Sequence, residues 1–280
     1  MTDAELEDND GFEPPNPEII AKAFAPEREE KPTVSPPPES RFNRLPAGLS
    51  LGERVAHDFE VQELTGTHEE IIAKARRASN PNVFISAIVE CGTVSIGGHK
   101  AEPTLLDELL VGDREYLLLA IRDATYGPTI EYEGLYCVGC DNRFDLTLDL
   151  EDVPITTLRR ESDRLFDVPL RKGGRARVRL PNGSDMEAYL DDEDATDSER
   201  NSVLLGRVVD TLTDHRGEET VVAGFPSVVR DELGIVDRQR ILSEITKRQP
   251  GPRYDDVQVK HDCGNEVAVP VGVMHLFPGL

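Results

Sequence analysis

Cysteine and histidine residues in the middle and near the end of the chain have the types and spacing of metal ligands. Cys137 and Cys140 form a C-x-x-C pair, and Gly139 between them is expected to let the backbone turn so that both thiolates face one ion. His261 and Cys263 lie in a second short segment, directly before a glycine. Two such loops, each projecting from a hairpin, supply the four ligands of a tetrahedral zinc ribbon. The sequence therefore predicts a structural Zn²⁺ site formed by Cys137, Cys140, His261 and Cys263.

Two other interpretations of the cysteines stay open. They could be unrelated residues, or Cys137 and Cys140 could form a redox dithiol, although no strand-to-helix pattern of the thioredoxin type surrounds them. Disulfides are not expected, because the chain is predicted to stay in a cytoplasm. The fourth cysteine, Cys91, falls on a predicted helix and is expected to be a small buried residue.

The predicted zinc site lacks the features that accompany a catalytic metal, an open coordination position and a general base. A catalytic zinc keeps one coordination position open and has a general base nearby, whereas four protein ligands are available here. The sequence contains no H-E-x-x-H pair, no Walker loop and no G-x-G-x-x-G string. We therefore predict that the protein is not an enzyme. Surface or turn positions are expected for the remaining histidines, His57, His68, His99, His215 and His275.

The charge of the chain restricts its partners. The chain has 54 acidic and 31 basic residues and a formal charge of -23. This charge repels phosphate backbones, so a zinc ribbon that binds nucleic acid is kept only as an alternative of another functional class. The densest basic run, Arg171 to Arg179, is interpreted as outward strand positions, with a docking strip for an acidic partner as the alternative. No apolar run reaches the roughly 18 residues of a membrane span. Met1 to Asp10 lacks the basic and apolar parts of a signal peptide, so a soluble protein of the cytoplasm is expected.

The elements that must position the ligands predict an α+β fold. Residues 1–44 are predicted to be a disordered, acidic, proline-rich leader. Residues 45–128 are predicted to form an N-terminal helical domain, since apolar residues recur there at helical spacing and Gly127-Pro128 ends the last helix. Residues 129–280 are predicted to be a mixed α+β region. This region is strand-rich at first, contains C-terminal helices, and is closed by the ribbon-like zinc knuckle.

Several local predictions concern single elements. Thr67 and Glu70 have the spacing of a capping box, and Asp113 is expected to cap the last helix of the helical domain. A strand is predicted over Glu187 to Leu190, and the carboxylates between Asp185 and Glu199 are expected to lie in a solvated loop. Further helices are predicted over Arg200 to Leu212 and Val228 to Lys247.

The order of several short motifs resembles that of a known family. Leu45-Pro46-Ala47-Gly48, a helix opening over residues 64–70, a helix from Asp113 and its stop at Tyr126-Gly127 precede the C-x-x-C pair. The closing knuckle is followed by Leu276-Phe277-Pro278. This series, over about residues 45 to 280, resembles the baseplate hub assembly proteins, or tail assembly chaperones, of T-even-type contractile-tailed phages. The second half-knuckle of that family is usually C-x-x-C, where this chain has histidine and cysteine.

The resemblance implies a function. Such a protein is not an enzyme, helps to build the hub of a tail baseplate in the host cytoplasm, and binds other tail or baseplate proteins. The rival within the same class is a permanent structural subunit that is retained in the virion baseplate. We expect the helices between residues 66 and 126 to present an apolar face to a tail protein, while zinc clamps both ends of the long segment between the two ligand pairs.

Overall fold

A computed structural model describes residues 42–52, 54–78 and 80–280. The predicted leader lies outside the described residues, except for its last three positions. Among these, Phe42 is buried, and its ring packs edge-on against Tyr116 with the ring centroids 5.4 Å apart. Helices and strands are mixed along the whole described chain.

The elements are numbered along the described chain. The helices are α1 (Gly66–Ala75), α2 (Pro81–Gly92), α3 (Pro103–Asp107), α4 (Val111–Tyr126), α5 (Gly183–Leu190), α6 (Asp197–Val208), α7 (Pro226–Glu232), α8 (Ile235–Arg248) and α9 (Val273–Leu276). The strands are β1 (Leu49–Leu51), β2 (Arg54–Ala56), β3 (Phe59–Val61), β4 (Thr93–Ile96), β5 (His99–Lys100), β6 (Thr129–Cys137), β7 (Asn142–Asp149), β8 (Ile155–Thr156), β9 (Leu165–Pro169), β10 (Arg175–Arg179), β11 (Val209–Thr213), β12 (Glu219–Val221), β13 (Gly251–Pro252), β14 (Gln258–Lys260) and β15 (Glu266–Ala268). Among the described residues, no helix is both long and apolar enough to cross a bilayer.

The larger hydrophobic core lies among α1, α2 and α4 and is completed by the last residues of the chain. Ile88 of α2, Leu117 of α4 and Phe277 after α9 are fully buried together. The antiparallel β6–β7 hairpin covers this core through residues such as Tyr132. This first core is therefore built from two segments that are distant in sequence, residues 42–155 and residues 254–280.

A second core is built from one continuous segment, residues 166–245. Its antiparallel sheet has the strand order β12-β11-β10-β9, and α6, α7 and α8 supply its other buried residues. In β10 the side chains alternate, with Arg175 and Arg177 exposed and Ala176 and Val178 buried. The interpretation of the basic run as outward strand positions is confirmed for Arg175 and Arg177. Arg171 and Lys172 lie in the turn before β10, and Arg179 is half-buried in an ion pair with Asp185.

The second core is an insertion into the first. The chain leaves the first core through β8 and returns through β13, and these two short strands pair side by side, Ile155 with Pro252. Helix α4 begins against this junction. An ideal Cβ at Gly112 would lie 1.5 Å from the carbonyl oxygen of Pro250, so only glycine fits there. The entry and exit of the second core are thus adjacent in space.

The segment from residue 45 to residue 128 is not an all-helical domain. It contains α1 to α4, but also β1 to β5, of which β3, β4 and β5 form one antiparallel sheet. Its core continues into the β6–β7 hairpin and the C-terminal residues. The side chains of α4 from Tyr116 to Arg122 are buried in this core, so the expectation that the helices present an apolar face to a partner is wrong for α4.

Two predicted helix caps are wrong in detail. The capping box of α1 uses Thr65 and His68, two residues earlier than predicted, because the helix itself begins at Gly66. Asp113 lies inside the first turn of α4. Its carboxylate accepts hydrogen bonds from the backbone N–H groups of Ala47, at 2.8 Å, and Gly48. Asp113 therefore ties the chain near β1 to α4.

The predictions between residues 182 and 248 need correction at three places. Residues 183–190 form α5 and not a strand, because Asn182 caps a helix whose Asp185 bonds back to the Asn182 N–H. Asp185 is fully buried, which excludes a solvated loop at that position. The next helix ends at Val208, since the β-branched residues after it pair with β10. The last predicted helix is divided at Gly234 into α7 and α8.

Candidate metal centre

The β6–β7 hairpin positions Cys137 and Cys140. Cys137 is the last residue of β6 and its side chain is buried, whereas Cys140 lies in the turn that follows. Asp141 adopts a left-handed backbone conformation, with φ of 61°, and its N–H donates to the carbonyl of Cys137 at 2.9 Å. The turn thus folds back so that both thiols lie at one end of the hairpin.

The β14–β15 hairpin positions His261 and Cys263. The N–H of His261 donates to the carbonyl of Asn265 at 2.9 Å, and the N–H of Gly264 donates to the carbonyl of His261 at 2.8 Å. Gly264 has φ of 89°, a conformation that L side chains rarely adopt. This tight turn directs both ligand side chains toward the β6–β7 hairpin.

The structure brings the four predicted ligands together. Their ligand atoms all lie within 4.8 Å of one another. The Sγ atoms of Cys137 and Cys263 are 3.6 Å apart, and Nδ1 of His261 lies 3.4 Å from Sγ of Cys140 and 3.1 Å from Sγ of Cys263. In a tetrahedral zinc site the bond lengths imply about 3.8 Å between sulfurs and about 3.6 Å between sulfur and nitrogen. The residues present therefore fit a metal ion such as Zn²⁺ after small adjustments.

Two residues that the sequence did not indicate support the ligands. The side-chain Nδ2 of Asn265 donates to Sγ of Cys263 at 3.1 Å, and the ring of Phe144 packs against His261 with the centroids 4.5 Å apart. Gly139 is needed for a different reason from the predicted one. Its backbone is not in the left-handed region, but an ideal Cβ there would lie 1.9 Å from Nδ2 of Asn265. A side chain at position 139 would therefore have to displace the Asn265 amide, which glycine avoids.

The thiols differ in how readily they lose their protons. Hydrogen bonds from His261 and Asn265 lower the pKa of Cys263 to about 6. Burial raises the pKa of Cys140 above its ordinary value. Thiolates are the form that binds a metal, so Cys263 is ready to bind at neutral pH, whereas Cys140 would have to lose a proton on binding.

Cys91 and two of the remaining histidines have structural contacts. Cys91 of α2 is half-buried against the first core and does not belong to the cluster. His57 Nδ1 is hydrogen-bonded to the carbonyl of Leu45 at 2.9 Å, and His275 packs on the ring of Tyr132. These contacts explain both histidines without any role in catalysis.

One catalytic string was missed by the sequence interpretation. Gly48-Leu49-Ser50-Leu51-Gly52 reads G-x-S-x-G, the pattern of a nucleophile elbow. Such an elbow needs a sharp turn from a strand into a helix. Here Ser50 is the middle residue of β1, which continues into the antiparallel strand β2, and its hydroxyl donates to Oε1 of Glu161 at 2.7 Å. The string is therefore part of a β-hairpin and does not form an elbow.

Comparison with known proteins identifies the family. The family described as T4 bacteriophage base plate protein matches residues 45–278, which include both hairpins of the cluster and the whole inserted core. No curated protein and no solved structure matches the chain. Because the family match covers most of the sequence, the chain belongs to the family of T4 bacteriophage base plate proteins.

Proposed function

We propose that this protein is a non-enzymatic assembly factor of the baseplate hub that carries one structural zinc ion. Family membership over residues 45–278 is the observation that carries the baseplate role. The order of motifs along the chain supports the narrower assignment to hub assembly. In this proposal the protein acts in the host cytoplasm, where it binds other tail or baseplate proteins.

The donor set supports zinc over other metals. Three thiolates and one imidazole are soft or borderline ligands, which suit Zn²⁺ and not Mg²⁺ or Ca²⁺. Cys137 and Cys140 would hold the ion from one hairpin, and His261 and Cys263 from the other. With all four positions filled by protein, the zinc would supply structural closure and no open position for a substrate.

Exposed apolar side chains on the helices and the edge strand around the second core support the proposal that the protein binds other proteins. Phe225 at the start of α7 and Ile235 at the start of α8 are 57% and 74% exposed, and Val221 of the edge strand β12 is 61% exposed. Contiguous patches of exposed apolar side chains are typical of surfaces that bind a partner. We propose that this part of the molecule, and not the buried helix α4, contacts tail proteins.

Quantitative mass spectrometry of mature tails and of producing cells tests the proposed role. We expect abundant protein in the cells and none in purified particles, as for an assembly factor. A fixed small copy number in particles would instead identify a permanent structural subunit, the alternative that the family description equally allows. Absence from both samples would contradict the baseplate role itself.

Metal analysis of the purified protein tests the zinc proposal separately. We expect one zinc ion per chain, retained through dialysis at neutral pH. A chain that is purified without metal and does not take up Zn²⁺ would contradict the structural site, while leaving the baseplate role untouched.

A further inference from the structure

A cleft of about 570 Å³ lies between the two cores, beside the point where the chain returns from the second core to the first. Glu115 of α4, Tyr254 and Val271 line it from the first core, and Leu204 of α6 and Ile245 of α8 line it from the second. We call it the junction cleft. Its volume lies within the range of about 300–1,000 Å³ that is typical of ligand sites, which often form between two packed units.

The walls of the junction cleft are held in place by contacts within the fold. The hydroxyl of Tyr254 donates to the backbone carbonyl of Glu115 at 3.3 Å. The N–H of Arg253 donates to the carbonyl of Pro154 at 2.8 Å, directly beside the pairing of β13 with β8. The cleft is therefore already formed in the folded chain, and a ligand would not have to open it.

Much of the lining of the junction cleft is apolar. Side chains from both cores contribute to it, among them Val111, Pro181, Met186, Leu204, Ile245 and Val271. Such a lining favours an occupant with apolar surface of its own, because burying that surface removes it from water.

Glu115 is a charged group without a partner in this apolar setting. Its side chain is half-buried and lines the cleft, so an occupant of the cleft can reach it. Within residues 42–52, 54–78 and 80–280, no group forms a hydrogen bond or an ion pair with its carboxylate. Burial raises the pKa of this carboxyl to about 7, and Arg253 lowers it only in part. A cation placed beside Glu115 would offset the cost of holding its charge there.

Arg253 also lines the junction cleft, but its guanidinium is used elsewhere. It donates to the hydroxyl of Thr156 and to the carbonyls of Thr246, Lys247 and Gln249. These carbonyls lie at the C-terminal end of α8, where a positive charge is stabilising. Asp255 and Asp256 are exposed at the rim of the cleft. Together with Glu115 they give the cleft more negative than positive charge.

We propose that the junction cleft receives a lysine or arginine side chain of a partner protein. The aliphatic stem of such a side chain would lie against the apolar lining, while its charged end pairs with Glu115. A free metal ion is the weaker match, because it would use only carboxylate oxygens and leave the apolar lining uncovered. This inference rests on the proposed function for its partner, a tail or baseplate protein, and adds the chemistry by which that partner is recognised.

Selection from a random peptide library against the full chain tests this inference. The selection is made at physiological salt, where a Debye length of about 8 Å weakens general attraction of basic peptides to the acidic surface. We expect the selected peptides to share a lysine or arginine next to apolar residues. Glu115→Gln should weaken their binding roughly tenfold or more, because it removes the partner of a desolvated charge.

Two further variants control for folding and for general loss of charge. Glu131 of β6 is exposed and lies outside the lining of the cleft, so Glu131→Gln should leave the binding of the selected peptides unchanged. Asp255→Asn removes a charge from the exposed rim and should weaken binding less than Glu115→Gln does. Peptides without a shared basic residue, or equal binding to the Glu115 and Glu131 variants, would overturn the inference.

Two more measurements identify the occupant. A selected peptide with a photoreactive group beside its basic residue should crosslink to the lining of the cleft, for example at Met186 or Val271, and crosslinks confined to other surfaces would overturn the inference. Competition by millimolar Mg²⁺ or Ca²⁺ that requires Glu115 would assign the cleft to a metal ion and would also overturn it. Either failure leaves the baseplate role intact, since mass spectrometry of tails and producing cells tests that role separately.

Discussion

The two cores differ in how the chain closes them. The second core uses residues 166–245 in one continuous run, so every part of it is available once that segment exists. The first core joins residues 42–155 to residues 254–280, and the candidate metal centre lies on hairpins from both segments. Closing so long a loop has an entropic cost that a local fold avoids. The candidate metal centre thus lies where it could connect the two distant segments of the first core.

Loss of the metal ligands should have the largest effect. It should destabilise the first core and leave the second core folded. Structural zinc contributes about 10 kcal/mol or more to the folding of zinc-finger peptides at neutral pH. In the double variant Cys137→Ser, Cys263→Ser we expect loss of bound zinc. Hydrogen exchange should then lose its protection in residues 42–155 and 254–280, while residues 166–245 stay protected.

Cys91→Ser is the matched control, since Cys91 lies in the first core but outside the cluster. It should retain full metal content. Uniform loss of protection over both cores would show that they unfold as one unit and would remove the distinction between them.

Substitution of Asp185, which lies near the junction of the two cores, should have the next largest effect on stability. Its buried carboxylate accepts from Arg179 at 2.5 Å and from Arg207 at 2.8 Å, joining β10, α5 and α6. Removal of one partner from a buried ion pair typically costs about 3–5 kcal/mol. We expect Asp185→Asn to lower the unfolding free energy by this amount in urea titrations at pH 7, with zinc content unchanged. Exposed Asp191, at the end of α5, should tolerate the same change.

The acid dependence of the Asp185 contribution follows from its pKa. Burial alone would raise the pKa of this carboxyl, but hydrogen bonds from Arg179 and from the Asn182 N–H outweigh burial and hold it below 3.8. A lowered pKa in the folded state means that the stabilisation is present at neutral pH and is lost as the pH falls through the folded value. The Asn variant should therefore lose less stability than the natural chain below about pH 4.

The contribution of Asp113 to the stability of the first core should have the opposite pH dependence to that of Asp185. Burial raises its pKa to about 7, although hydrogen bonds from the N–H groups of Ala47 and Gly48 lower it in part. Because the folded pKa exceeds the ordinary 3.8, the contribution is fully present below about pH 4 and is lost as the pH rises through 7. Asp113→Asn should reduce this loss by up to about 4 kcal/mol between pH 4 and 8.

Chemical denaturation at several pH values measures this difference. Glu115, whose pKa burial also raises to about 7, remains in the variant and will leave some slope. Glu115→Gln measured alone gives that remaining part. Parallel stability curves for Asp113→Asn and the natural chain would exclude Asp113 as a source of the pH dependence.

Substitutions at the contact between the two hairpins of the candidate metal centre should give the smallest effect. They should change only the affinity for metal. Asn265→Ala removes the hydrogen bond to Cys263, and loss of such a supporting contact typically lowers metal affinity about 10–100-fold. Gly139→Ala should also lower it, because its Cβ would meet the Asn265 side chain. In the double variant Gly139→Ala, Asn265→Ala the loss of metal affinity should be smaller than the sum of the two single losses. The reason is that the added Cβ no longer meets an asparagine side chain.

Zinc competition with a chromophoric chelator measures these affinities. Gly66→Ala is the matched glycine control, because open space surrounds that position at the start of α1. Strict additivity of the Gly139 and Asn265 substitutions would show that the two hairpins do not meet at this contact.

The sequence predicted well those features that have strong local signals. The end of α4 at Gly127 and the position of Cys91 on a helix, α2, match the predictions. The candidate ligands could be chosen from the sequence, because a C-x-x-C pair and a second glycine-containing loop are typical of metal ligands. That the cluster is assembled from all four residues depends on strand pairing, which residue types do not encode.

The missed features depend on contacts between distant residues. The alternation of polar and apolar residues over Glu187 to Leu190 suggested a strand, but the helix cap at Asn182 and packing against α6 decide for a helix. Asp185 belongs to an acidic stretch, and its burial depends on ion pairs with Arg179 of β10 and Arg207 of α6. No local signal marks the pairing of β8 with β13, because each strand has only two residues.

The insertion of the second core also sets an order of events during synthesis on the ribosome. Cys137 and Cys263 are 126 positions apart, so at 5–20 residues per second the first thiol would emerge about 6–25 s before the second. The complete inserted segment emerges within that interval and can fold while the first core still lacks its C-terminal hairpin. Until the last residues are made, the nascent chain therefore contains Cys137 and Cys140 but still lacks the candidate ligands His261 and Cys263.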